Sequence, residues 1–307
     1  MKKILILLSF AAVIFNAYNP VYAEQQQNKT VVISQDKESL HLNAFVEKCL
    51  KYSNDHDFNK LQSLYASNYI SGDGLKKDEL FNLIKQSWDN FPNIKYSSTI
   101  KDIRINNNTA TVESYDTATA DTLKKSDITN DTGALQCESQ NLIYLQKFGK
   151  DWKIVSDKIF YEKTSIKYGG AKNLKIDFNT AEQVYAGQDY TSALYVDIPT
   201  GTIALGSITK EPIVYPEVKT EESFRQIYPG IGVLERIMKA NKTNNNEFAS
   251  ASVGFSELIK DNNSNPEIKV TGIALIMQRV NVIPKSSYTP DKPVLKTLDD
   301  SFENNDE

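Results

Sequence analysis

Few residues in this chain belong to the types that do chemistry near neutral pH. It has two histidines and two cysteines in 307 residues. None of them falls at metal-ligand spacing, and no G-x-S-x-G or persuasive Ser/His/Asp order occurs. The sharpest candidate is Asp116, in the alternating stretch TATVESYDTATA at 109–120. Successive side chains of a strand point to opposite faces, so Ala110, Val112, Ser114, Asp116 and Ala118 share one. If Ala110 and Val112 face a core, Asp116 lies inside with them. Burial there raises a carboxyl pKa and suits the group to general-base work. The same counting in WKIVSDKIFYEK, 152–163, turns Trp152 and Ile154 inward, and after them Ser156, Lys158 and Phe160. Asp116 and Lys158 then form either a buried acid–base pair or a salt bridge at a rim, and a rim or solvent-facing carboxylate is the commoner fate. A one-residue bulge would reverse each of these assignments. Tyr65, Tyr69 and Trp88 are placed on helices that could line the same interior, although an aromatic at helical spacing usually serves packing. His41 and His56 fall early in a helix and in the loop NDHDFN, away from the strands. SGDG, 71–74, lacks the carboxylates of a calcium loop and the Lys-Ser/Thr end of a phosphate loop, and reads as a turn. No motif points to a metal or a cofactor. Cys49 and Cys137 form a disulfide or remain as free core thiols.

The elements that must position these residues fall in a clear order. ESLHLNAFVEKCLKYS carries Leu42, Phe45, Val46, Cys49 and Leu50 at helical spacing. NDHDFNKLQSLYAS predicts a shorter helix, with its cap in Asn54–Asp57, and KKDELFNLIKQSWDNF a third that ends at Pro92. The period then changes to two. NIKYSSTIKDIRI, the turn NNN and TATVESYDTATA read as a hairpin. A polar loop over 121–133 leads to ALQCESQNLIYLQKF, and GKD leads to WKIVSDKIFYEK. Three helices followed by four antiparallel strands predict an α+β domain, a cone of helices on a curved sheet.

Residues 38–165 resemble the nuclear-transport-factor-2-like superfamily, of the SnoaL-like kind. The resemblance rests on LQSLYASNYISGDGLKKDELFNLI, on the hairpin IKDIRINNNTATVES and on the closing FGKDWKIVSDKI. It implies a pocket at the mouth of the cone, lined by Tyr65, Tyr69, Trp88, Ser114, Asp116, Ser156 and Lys158. It also implies an Asp used with a His or Tyr in isomerase and cyclase members. This chain departs from that pattern, with no His on the closing strands. Members of the superfamily also bind ligands or dimerise through the open sheet, so fold alone does not choose a function.

SIKYGGAKN, 165–173, reads as a domain boundary, with residues 166–172 as the linker and Gly169–Gly170 as its hinge. Residues 173–285 alternate or run apolar and predict a mainly β, sandwich-like domain, with a helical insert in TEESFRQIYPGIGVLERIMKAN. No family is recognised there. Residues 1–23 read as a bacterial-type signal peptide: Lys2 and Lys3, an apolar run from Ile4 to Phe15, and Val21 and Ala23 before the cut. Residues 24–37 form a polar leader, and 286–307 an acidic tail expected to be disordered. The mature chain is therefore expected to be exported, periplasmic or extracellular, with no membrane span. Of 35 basic and 39 acidic residues, two lysines leave with the signal, so the remainder is net acidic. That argues against a nucleic-acid partner. Together these features favour a non-catalytic exported protein that binds a small apolar ligand or a protein or envelope partner through the cone and the β domain. One alternative is an isomerase, cyclase or hydratase with Asp116 as base. Another is a homodimeric scaffold, joined through the N-terminal sheet, that displays the β domains.

Overall fold

The computed structural model describes residues 37–214, 221–230, 232–259 and 267–285. The signal peptide, the leader up to residue 36 and the acidic tail lie outside the described residues. Helix α1 spans Lys37–Asn54, α2 Phe58–Ser63 and α3 Lys77–Asn90. The Asp57 carboxylate caps α2 by accepting from the Lys60 amide at 3.2 Å. Glu79 in the first turn of α3 reaches back to the Lys76 amide at 2.8 Å, half of a capping box. Strands β1 (Lys95–Asn106), β2 (Thr109–Lys125), β3 (Thr132–Phe148) and β4 (Asp151–Gly169) then form an antiparallel meander. Asn107 takes the left-handed conformation in the β1–β2 turn, and Gly149 does so in the β3–β4 turn. The helices cover one face of this meander, and Leu42, Phe81, Phe91, Val112, Ile143 and Ile154 are among the residues of the shared core. This is the α+β order expected from the sequence.

The loop expected over 121–133 is shorter in the structure. β2 runs on to Lys125 and β3 begins at Thr132, since Ala120 and Asp121 still pair with Leu135 and Ala134. The Gly133 amide is also tied to the Thr122 hydroxyl at 2.8 Å.

The boundary expected at 166–172 is corrected too. Ile166–Gly169 belong to β4, and Lys163–Gly169 pair with Gln278–Gly272 of β13, Glu267–Ile283. Beyond β13 the sheet continues through β12 (Glu247–Ile259), β8 (Thr202–Ile208) and β10 (Arg225–Ile227). One ten-stranded sheet therefore crosses both halves, in the order β1-β2-β3-β4-β13-β12-β8-β10, and the short strands β6 (Gln183–Tyr185) and β9 (Ile213–Val214) join β13 and β12. The glycines answer to close packing and not to a hinge. A Cβ at Gly169 would sit 2.4 Å from the Thr271 carbonyl, and one at Gly272 2.5 Å from the Ala171 amide. A second sheet is built from β5 (Ile176–Asn179), β7 (Asp189–Val196) and β11 (Val233–Lys239). Its order is β11-β7-β5, and it packs on the opposite face of the long sheet. Phe178, Leu194, Val253, Phe255 and Ile276 fill the space between. The predicted helical insert is strand: β10 and β11 fall within it, each paired antiparallel to β8 or β7. An edge available in each sheet outweighed the local helical spacing of that segment. Among the described residues no helix is long and apolar enough to cross a membrane.

Candidate functional site

The inner face of the N-terminal sheet is not uniformly apolar. Ser98 of β1, Asp116 of β2, Ser139 of β3 and Glu162 of β4 are direct cross-strand partners in one row. All four are at most 2% exposed. The row follows from alternation in β1 to β3. Leu135, Cys137, Ser139, Asn141, Ile143 and Leu145 stand on one phase, so Ser139 and Asn141 were legible as inward residues.

Asp116 is held on one side only. Its Oδ2 accepts from Asn141 Nδ2 at 2.6 Å and from the Ser114 hydroxyl at 3.1 Å. Its Oδ1 has no hydrogen-bond partner among the described residues. Burial pushes its pKa up to about 7, against the lowering effect of Ser98, Asn141 and Ser114. Glu162, in the same row, has no hydrogen-bond partner on either carboxyl oxygen among the described residues. Burial raises its pKa well above the ordinary value, and the nearby Arg279 guanidinium only partly offsets this. Two carboxyls thus stand two strands apart, about 10 Å between backbones. Asp116 can exchange a proton near neutral pH, and burial favours the neutral form of Glu162.

Strand β4 does not follow simple alternation. Its register against β3 slips at two places, leaving Val155 and Phe160 as extra residues. Each bulge inverts the facing of the residues after it. Trp152 and Ile154 are inward as expected, but next come Asp157, Ile159 and Glu162. Lys158 is exposed, its Nζ resting 5.1 Å from the centre of the Phe160 ring. Ser156 bonds the Ile70 carbonyl at 2.7 Å, at the surface. The expected pairing of Asp116 with Lys158 is therefore corrected, because the first bulge puts them on opposite faces. Of the expected pocket residues, Ser114 and Asp116 stand together on the inner row. Tyr65 and Tyr69 are core residues, packed edge to face at 5.0 Å. Trp88 is core as well: its Nε1 donates to the Tyr96 hydroxyl at 3.0 Å, and His56 stacks on its ring at 4.6 Å. Cys49 and Cys137 are free, buried thiols, and Thr164 donates to the Cys137 sulfur at 3.2 Å. The disulfide alternative is corrected accordingly.

Sequence reading missed the charges beside this row. Arg279 of β13, 2% exposed, grips Asp73 of the SGDG turn with two nitrogens, at 2.9 and 2.5 Å. Burial opposes the Asp73 charge, and the Arg279 guanidinium and the Asn246 amide outweigh it, so its pKa is lowered. Asp157 accepts from the Gly72 amide at 2.9 Å, and burial raises its pKa. The available signal was a lone Arg inside the apolar run TGIALIMQRVNVI, since a buried charge must find a partner. No group of three or more metal-ligating side chains occurs among the described residues.

No protein-family model matches the chain, and no curated protein matches it. Among solved structures it is similar to Bd1075 of Bdellovibrio bacteriovorus, at 19% identity and a TM-score of 0.34. That match covers 43% of this chain and 43% of the Bdellovibrio protein. A ketosteroid isomerase-like protein from Erwinia carotovora matches at 17% identity and a TM-score of 0.31, over 40% of this chain and 94% of its own. A nuclear transport factor 2-like superfamily protein from Salmonella enterica matches at 13% identity and a TM-score of 0.32, over 39% and 87%. By its own topology, the N-terminal half is nuclear-transport-factor-2-like in fold.

Proposed function

We propose that this protein is exported and that its N-terminal cone binds a small polar molecule along the row Ser98–Asp116–Ser139–Glu162. The observation that supports this reading is a set of buried polar atoms on one face that lack a hydrogen-bond partner among the described residues: the Ser98 hydroxyl, Asp116 Oδ1 and both carboxyl oxygens of Glu162. Each such atom costs about 1–3 kcal/mol if left unmade, and buried polar atoms of this kind are normally satisfied by water or ligand. A molecule whose groups both donate and accept, such as a polyhydroxyl compound, suits that surface better than the apolar ligand expected from sequence. Acid–base catalysis by Asp116 is the second reading. It is favoured by a carboxyl with a pKa of about 7, one oxygen fixed by Asn141 and Ser114 and the other open.

Native mass spectrometry of protein purified from its own source tests the first reading. The expected result is a retained small molecule whose occupancy falls at least about tenfold in Glu162→Gln or Asp116→Asn. Protein that emerges bare, and shows no thermal shift with a panel of amines and polyols, would sink it. N-terminal sequencing tests export: a chain recovered outside the cytoplasm beginning near Glu24 is expected, and a cytoplasmic chain that keeps residues 1–23 contradicts it.

A further inference from the structure

Strands β4 and β13 pair only as far as Lys163 and Gln278, and beyond that point they diverge. β13 turns away to pair in parallel with β6 through Asn281–Ile283. The wedge between the diverging strands opens into a cavity of about 530 Å³, and beside it lies a second of about 340 Å³. Gly72, Asn244, Asn246 and Arg279 line both, so the two form one cleft. Its size falls in the range of small-molecule sites. It is distinct from the inner row, of which it contains no member.

The chemistry of its walls is specific. Arg279 in the floor is already neutralised by Asp73. Lys158 and Glu182 on the walls of the larger cavity are of opposite sign. Asp157, which accepts from the Gly72 amide, adds a further carboxyl to that wall, and the rest is amide, aromatic and aliphatic surface. Asn244, Asn245 and Asn246 line the smaller cavity, and Asn281 and Gln183 the larger. Phe160, left on this side at the second bulge and carrying the Lys158 ammonium against its ring, lines the larger cavity together with Tyr144. The asparagine loop is built in advance. Asn241 accepts from the amides of Thr243 and Asn245 at 3.0 and 3.2 Å and donates to buried Glu247 at 2.7 Å. Asn246 donates to Asp73 at 2.7 Å and accepts from the Val282 amide at 3.0 Å. Between them Asn244 is held at φ 58°, in the left-handed region, with its side chain exposed on the cleft.

We propose that this cleft is a carbohydrate site that takes a short stretch of glycan. Asn246 and Asn281 are tied to Asp73, Val282, Arg279 and the Phe160 and Glu182 carbonyls and fix the walls. The exposed amides of Asn244 and Gln183 can donate and accept, which matches sugar hydroxyls and acetamido groups. A ring face covers the apolar side of a sugar, and the two lining cations are outnumbered by three carboxyls, so a neutral ligand is favoured over an anionic one. The site is independent of the one proposed in the cone.

The test uses the full chain with chitin, cellulose and xylan fragments as soluble probes, read by titration calorimetry, and with the same polymers in insoluble form. Asn244→Gly is the informative variant, because glycine tolerates the left-handed backbone and only the amide is removed. The expected result is binding of at least one probe, weakened about tenfold by Asn244→Gly. Retention on insoluble polymer would name a structural glycan as the source, and binding of soluble fragments alone a free oligosaccharide. Absence of binding to every probe overturns the proposal. So does binding that Asn244→Gly leaves intact, or preference for short peptides presented in parallel.

Discussion

At the scale of single residues, the protein is defined by ionisable groups placed where water does not reach. Asp116 has an ordinary pKa of 3.8 and a folded one of about 7. Between those values the native state holds the extra proton. The stability from this group is therefore full below the ordinary carboxyl range and lost as pH rises through about 7. Chemical denaturation at about pH 5 and about pH 8 should show wild type losing about 2–3 kcal/mol more than Asp116→Asn. Equal losses would mean that Asp116 is not the buried, proton-holding carboxyl described above. The Asp73–Arg279 pair behaves differently, because both partners are charged. Asp73→Asn leaves the guanidinium buried without its counterion and should cost about 3–5 kcal/mol. Adding Arg279→Met should recover part of that loss, and a double-mutant cycle in urea measures the coupling. Additive single losses would show the pair to be energetically unlinked. Cys49 and Cys137 should leave the intact mass unchanged by reductant.

At the scale of elements, β4 is the decisive strand. Its first bulge turns Asp157 and Ile159 inward and Lys158 outward, and the second restores the phase, so that Glu162 faces in as unbroken alternation from Trp152 would place it. Alternation read β2 and β3 correctly, because the pairing between them is regular through Ser114, Asp116, Ser139 and Asn141. It failed on β4 because a bulge is set by the partner strand's pairing and has no compulsory residue signal. Glycine positions separate local from tertiary strain. Gly74, at φ 84°, has open space where a Cβ would stand, so Gly74→Ala should cost about 1–2 kcal/mol of backbone strain alone. Gly169→Ala should cost at least ~1 kcal/mol more, since its Cβ would overlap the Thr271 carbonyl of the neighbouring strand. Thermal unfolding of both variants makes the comparison. Equal costs would favour the hinge reading of the Gly169–Gly170 pair.

At the scale of the whole molecule, the two halves are one mechanical body. β4 pairs with β13, and Arg279 of β13 holds Asp73 of the helical half. Wild type should therefore unfold in a single calorimetric transition, and a chain ending at residue 165 should aggregate, because it bares the β4 edge. Two resolved transitions, or a soluble folded fragment, would restore the two-domain picture. The sequence by itself determined the helices, the four-strand meander and the inward face of β2, because hydrophobic period and turn residues are local quantities. It put Asp116 on the face of Ala110 and Val112 but left a position at the rim open. Only the tertiary structure decided that Asp157 and not Ser156 or Lys158 would turn inward on β4, that β13 would continue the first sheet, and that 225–227 and 233–239 would be strand. Each of those outcomes depends on edges and partners supplied by segments up to 206 positions away, as between Asp73 and Arg279. Periodicity within one segment carries no record of the strand it will meet.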